Sequence, residues 1–193
     1  MSRLVQYFGD LKTRGRTALA PYFIAGFPDL DTSFELMKEA VAAGADFIEM
    51  GMPFSDPLAD GPTIQKAGVE ALKNPFTLAE LIDRFQKERV SFPIPVVCMT
   101  YYNPIYQLGL DETAQRAADA GIAGFIVPDL PLEESGPFLE SCKKAGVDLI
   151  PLIAPTSGED RVRKIDAAST GILYYVSRLG ITGAKSELPP EIE

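Results

Sequence analysis

The 193-residue sequence contains no histidine and no tryptophan. Without histidine there is no imidazole base, no Ser-His-Asp triad and no His-ligated metal. Any acid–base chemistry falls to carboxylates, tyrosine, lysine or cysteine. Cysteine itself is scarce. Cys98 lies in an apolar run and Cys142 in a helical one. Two free buried thiols in a reducing cytosol is the reading favoured over a disulfide. No apolar stretch approaches membrane-spanning length, and the opening "MSRLVQYFGDLKTRGRTA" has no signal-peptide core, so a cytoplasmic location is expected. Positive charge is also in deficit, with 18 basic against 27 acidic residues and a formal charge of −9. That balance argues against nucleic acid or an anionic membrane as partner. A small anionic substrate remains compatible, because backbone N–H groups at helix starts hold phosphate without Lys or Arg.

What is present is alternation. Short apolar runs recur as "APYFIAG" (20–26), "DFIEMGM" (46–52), "IPVVCMT" (94–100), "AGFIVPD" (123–129), "DLIPLIA" (148–154) and "GILYYVS" (171–177). They are rich in Val, Ile, Phe and Tyr and too short for helices, which predicts buried strands. Amphipathic segments lie between them. In "DTSFELMKEAVAAG" Thr32 and Glu35 have capping-box spacing, and in "FTLAELIDRF" Thr77 and Glu80 repeat it. Leu78, Leu81, Ile82 and Phe85 then form the stripe of a buried helix face. Further helices are predicted near 111–120, 133–145 and 158–168.

"AGADFIEM", "AGIAGFIV" and "AGVDLIPL" each join a helix end to a strand through Ala-Gly, at the spacing of a βα unit. Strict βα alternation predicts a parallel α/β sheet, doubly wound or closed into a barrel. No GxGxxG follows any strand, which weakens the dinucleotide-binding version. Residues 1–193 read as a single domain without a linker. A (β/α)₈ barrel takes about 250 residues. The six strand runs and the terminal "SELPPEIE", which reads as a helix beginning, predict an incomplete barrel of about six βα units lacking the last two.

Catalytic groups in such architectures collect at the C-terminal strand ends. There Glu49 stands inside the apolar "FIEMGM", on the same strand face as Phe47 and Gly51. Desolvation would raise its pKa toward the range useful for proton transfer. The competing reading is a core glutamate satisfied by a partner. Asp60 precedes "GPTIQKAG", where it or Gly61 can cap a helix with Pro62 in first place. Asp56 in "FSDP" fits an Asx-turn, and Asn103-Pro104 reads as a turn. Tyr101 and Tyr102 line a pocket or pack. "SRLGITGAKSELPP" has the composition of a mobile lid or of a plain surface loop.

"EMGMPFSDPLADGPTIQKA" closely resembles the signature of the tryptophan synthase α subunit family. "YFGDLKTRGRTALAPYFIAGFPD", "MTYYNPI", "GFIVPDLPLEES", "LIPLIAPTS" and "YYVSRLGITGA" match in order, so the resemblance covers nearly the whole chain. It implies a (β/α)₈ TIM barrel that cleaves indole-3-glycerol phosphate to indole and glyceraldehyde 3-phosphate by retro-aldol chemistry. Glu49 matches the acid–base residue, and Asp60 the carboxylate held against the indole N–H. Tyr22 matches an aromatic wall of the pocket where the family can have Phe. Tyr101 and Tyr174 match pocket tyrosines, and Thr182 the lid threonine. Pro53, Asp56, Asn103 and Pro104 match surface that faces the β subunit. That partner receives the indole and carries the pyridoxal phosphate, so this chain is expected to need no cofactor and no metal. The family's phosphate grip follows strands seven and eight, beyond residue 193, so the chain is expected to be poorly active by itself.

Two rivals remain at this stage. A Schiff-base aldolase needs a strand-end Lys, and no strand run contains one. A catalytically weak α-like chain that only binds or activates the β subunit is a rival of another class.

Overall fold

The computed structural model describes residues 2–58 and 60–177. Helix α1 (Arg3–Thr13) precedes strand β1 (Tyr22–Ile24). Then follow α2 (Leu30–Ala42), β2 (Ile48–Gly51), α3 (Pro62–Ala71), α4 (Leu78–Glu88), β3 (Val96–Met99), α5 (Tyr102–Leu108), α6 (Leu110–Ala120) and β4 (Gly124–Ile126). The described part closes with α7 (Gly136–Ala145), β5 (Asp148–Ile150), β6 (Leu152–Ile153), α8 (Glu159–Ala168) and β7 (Tyr174–Tyr175). Strands β1 to β5 pair in chain order, all parallel, and β6 pairs parallel with β7. Sequential parallel strands with helical crossovers are the (β/α)₈ barrel pattern.

Each strand feeds two cores because side chains alternate. Ile48, Met50, Cys98 and Phe125 face the helix layer and join Phe34, Phe85 and Phe138. Phe47, Val97, Ile126 and Ile150 face inward and meet Leu4 of α1. Phe125 and Phe138 are fully buried with ring centroids 5.4 Å apart. Burial of each contributes about 2–3 kcal/mol.

Helix α4 follows its sequence closely. Thr77 caps it through the reciprocal bonds with Glu80, and Leu78, Leu81, Ile82 and Phe85 are its buried residues. Helix α2 does not. Its cap is Asp29, whose carboxylate accepts from the Thr32 N–H at 2.7 Å, while Glu35 pairs with Lys38. Asp29 takes the cap because the helix begins earlier, at Leu30, which makes the orphan N–H that of Thr32, three residues after Asp29.

The run 148–154 is divided. Asp148–Ile150 pairs with β4 and Leu152–Ile153 pairs with β7. Pro151 stands at the change of partner. It has no N–H to donate, yet its carbonyl accepts from Tyr174 N at 3.0 Å.

Helix α1 carries no clear sequence signal. Ser2 caps it, accepting from Leu4 N and Val5 N at 3.1 and 3.3 Å. Its hydroxyl also donates to the buried carboxylate of Asp148. Leu4 is fully buried and Phe8 meets Phe47 edge-on at 5.8 Å, so α1 plugs the end of the barrel opposite the strand C-termini. Cys98 and Cys142 are free and buried.

Candidate active site

Glu49 sits in β2 with Ile48 before it and Met50 after it, both fully buried on the helix side. Its own side chain therefore points inward. The pairing register sets it level with Tyr22 of β1 and Val97 of β3. Glu49 is 8% exposed, and among the described residues no side chain hydrogen-bonds or ion-pairs with its carboxylate. Burial alone pushes the carboxyl up from 4.5 to about 7. Among the described residues the fold builds no basic partner for this glutamate.

Tyr22 lies across Gly51, the next inward position of β2. A Cβ on Gly51 would be 2.1 Å from the Tyr22 hydroxyl oxygen and 2.6 Å from its ring carbon Cζ. Only glycine leaves room for the ring. The Tyr22 phenol is pushed up, first by burial, then by the charges of Asp60 and Glu49. The Tyr174 phenol is raised by burial and then by Glu49. Tyr22 thus lies near both carboxylates and Tyr174 near Glu49.

Asp60 does not cap α3. Gly61 is the cap residue without a side-chain bond, Pro62 takes the first helical position, and the Asp60 carbonyl accepts from Gln65 Nε2 at 2.9 Å. The carboxylate is free for another use. Burial raises its pKa, and a hydrogen bond from the Tyr101 hydroxyl opposes that rise. Tyr101 is 5% exposed and stacks on Phe54 at 4.9 Å with 22° between the ring planes. One tyrosine thus grips the loop after β2 at two points, by a ring face and by a hydroxyl.

Sequence reasoning passed over Phe54 and Asp129. Asp129, in the loop after β4, accepts the Tyr102 N–H with both carboxylate oxygens, at 2.9 and 3.2 Å. Asn103 and Pro104, read as a turn, lie inside α5, because this cap lets the helix begin at Tyr102. The signal for Asp129 was a carboxylate at a strand end, but its target is distant in sequence. Of the residues matched to a partner surface, Asp56 and Asn103 are exposed, Pro104 is half-buried and Pro53 is buried. Asp56 accepts from the Ser55 hydroxyl at 2.6 Å. Thr182 lies outside the described residues.

Two partly buried carboxyls, one on β2 and one on the loop that follows it, the first pushed up to about 7, have the chemistry of an acid–base site. The family model of the tryptophan synthase alpha chain matches residues 8–193. The alpha chain of Carboxydothermus hydrogenoformans is 47% identical over 192 residues, covering 100% of this chain and 72% of that relative. That of Methanosarcina acetivorans is 45% identical, covering 96% and 68%. Among solved structures, Mycobacterium tuberculosis tryptophan synthase superposes with a TM-score of 0.91 at 36% identity, covering 99% of this chain and 74% of that one. The alpha subunit from Legionella pneumophila gives 0.86 at 38% identity, covering 91% and 68%.

The chain belongs to the tryptophan synthase alpha chain family. Its reaction is the cleavage of indole-3-glycerol phosphate to indole and glyceraldehyde 3-phosphate, a step of tryptophan biosynthesis. Alpha chains of this family pair with a beta subunit. Among the described residues no helix is long and apolar enough to cross a membrane.

Proposed function

We propose that Glu49 is the proton shuttle of this cleavage and Asp60 its electrostatic partner. The observation that supports it is a carboxyl buried without a partner, titrating at about 7. Near neutral pH both of its forms are populated, as a group that must give and then take a proton requires. Neutral Glu49 gives its proton to C3 of the indole. Positive charge then spreads to the ring nitrogen. Ionised Asp60 accepts the indole N–H and stabilises that charge. The Glu49 carboxylate takes the proton of the glycerol hydroxyl on the carbon bonded to C3. That oxygen becomes the aldehyde oxygen, the carbon–carbon bond breaks, and its electron pair restores the aromatic ring. Glu49 ends protonated, as it began.

Tyr101 favours the ionised form of Asp60 by donating to it, while among the described residues no donor does so for Glu49. The unequal environments divide the roles of two acids that would otherwise be alike. Tyr22 and Tyr174 form walls of the indole pocket. The phosphate end of the substrate lies toward the open mouth. These proton transfers need no cofactor or metal in this chain; pyridoxal phosphate stays with the beta subunit. Asp56 and Asn103 offer exposed polar groups to that subunit, Pro104 a partly exposed ring beside them, and Pro53 sets the course of the loop from within. Two buried free thiols fit a cytoplasmic location.

The test measures indole release from indole-3-glycerol phosphate by the encoded protein assembled with its beta subunit. Glu49→Gln is expected to lower kcat by about 10²-fold or more, the scale of lost general acid–base catalysis. Asp60→Asn is expected to act in the same direction. Cleavage at the wild-type rate by Glu49→Gln overturns the assignment.

A further inference from the structure

We infer that Asp129 is a positioning residue for this reaction, acting on Asp60 through the first turn of α5 and the Tyr101 side chain. The inference rests on the role given above to Asp60. Helix α5 begins with Tyr101 as its cap residue, and Tyr101 has no side-chain oxygen that can reach the orphan N–H groups of the first turn. The missing acceptor comes from another strand's loop. Asp129 follows β4, and its two carboxylate oxygens lie 2.9 and 3.2 Å from the Tyr102 nitrogen. This bond fixes the backbone on the C-terminal side of Tyr101. On the other side, Thr100 N donates to Ile126 O at 3.0 Å. The Cα of Tyr101 is therefore held from both flanks by segments of the β4 region.

Beyond that Cα the side chain has little freedom. It is buried, its ring is stacked on Phe54, and its hydroxyl is spent on Asp60. A shift of the α5 start therefore moves a rigid lever whose far end is a hydrogen bond to the carboxylate. An acceptor on Asp129 places a donor on Asp60 without touching substrate itself. Asp129 is solvent-exposed, so packing does not account for it.

The same first turn carries Asn103, which is exposed, and Pro104. A protein surface resting there would press on the base of the lever. Occupancy at α5 and the position of Asp60 are thus joined by one short mechanical path.

The experiment is a double-mutant cycle in the encoded protein with its beta subunit, read as kcat and KM for indole release. Tyr101→Phe and Asp129→Ala are each expected to lower kcat about 10-fold, the scale of one hydrogen bond to a charged group, with KM within about twofold. The double variant is expected to be no slower than Tyr101→Phe alone, because the lever is already without its tip. Asp129→Asn retains an oxygen for the Tyr102 N–H and is expected to recover most of kcat. Asp129→Glu keeps the charge but displaces the acceptor by one methylene, and is expected to behave like Asp129→Ala. It serves as the informative variant if the alanine form does not fold. Multiplying effects of about 100-fold in the double variant, wild-type kcat in both Asp129→Ala and Asp129→Glu, or failure of Asn to rescue would each overturn the inference. If Tyr101→Phe is silent while Glu49→Gln abolishes cleavage, this inference falls and the Glu49 assignment stands. If Glu49→Gln is silent, the assignment itself falls.

Discussion

Replacing Glu49 by glutamine should make the protein more stable, and increasingly so as the pH rises. The unfolded carboxyl titrates near 4.5 and the folded one near 7. Between these values the folded state binds a proton that the unfolded state has released, so unfolding becomes easier as pH rises through this window. Above the folded pKa the whole penalty is present. Each pH unit between the two values is worth about 1.4 kcal/mol, which gives a penalty of about 3 kcal/mol at pH 9. At pH 5 most of it has vanished. Glutamine has nearly the same shape and nothing to ionise, so the variant escapes the penalty. All other titrating groups are common to both proteins and cancel in the difference. Urea unfolding of wild type and Glu49→Gln at pH 5, 7 and 9 reads that difference directly. It should grow by about 2–3 kcal/mol from pH 5 to pH 9, in favour of the variant. A difference that is flat with pH would refute the claim that burial without a partner sets this group. So would one that favours the wild type more as pH rises. The variant that loses cleavage would then be the sturdier protein, the trade expected where a site holds a group in an unfavourable environment.

Three further outcomes follow from other contacts. Gly51→Ala should lower kcat/KM for indole release by about 10-fold or more, because its Cβ would collide with the Tyr22 ring; adding Tyr22→Phe should restore only part, since a ring carbon remains at 2.6 Å. Thr77→Ala removes the cap of α4 and should cost about 1 kcal/mol. A thermal melt should register it as a fall of about 2–4 °C in Tm. Cys98 and Cys142 have thiols pushed up to about 12 by burial, so a thiol reagent at pH 8 should modify neither in the native protein and both in urea.

The parts of the fold legible in the sequence are those whose physics is local. The stripe of α4 and its Thr77–Glu80 box lie within nine residues, and the helix obeys them. The strands follow because short β-branched and aromatic runs between turn residues have few other uses. Glu49 was legible because a carboxylate in an apolar strand has to be explained by something outside that strand. What escaped is what depends on a distant partner. Asp29 took over the cap of α2 from Thr32 because each could start the helix at its own position, and the sequence does not rank the two starts. Asn103-Pro104 reads as a turn until Asp129 is brought beside it from 25 or so residues away. The division of 148–154 depends on which neighbour each half meets, and both halves are equally apolar. For Asp60, capping and catalysis were indistinguishable until Tyr101 was seen to hold the carboxylate.

The plug at the closed end of the barrel bears on how the chain is made. Ser2 emerges from the ribosome long before Asp148, the residue whose carboxylate it donates to. Helix α1 thus leaves the exit tunnel well before its seat is complete. During that interval Leu4 and Phe8 have only part of their inner surface to bury against, first Phe47, then Val97 and Ile126, until Ile150 of β5 completes it. Translation stalled before residue 148 would leave a tethered amphipathic segment open to chaperones, and resumption would let α1 dock once β5 has been made.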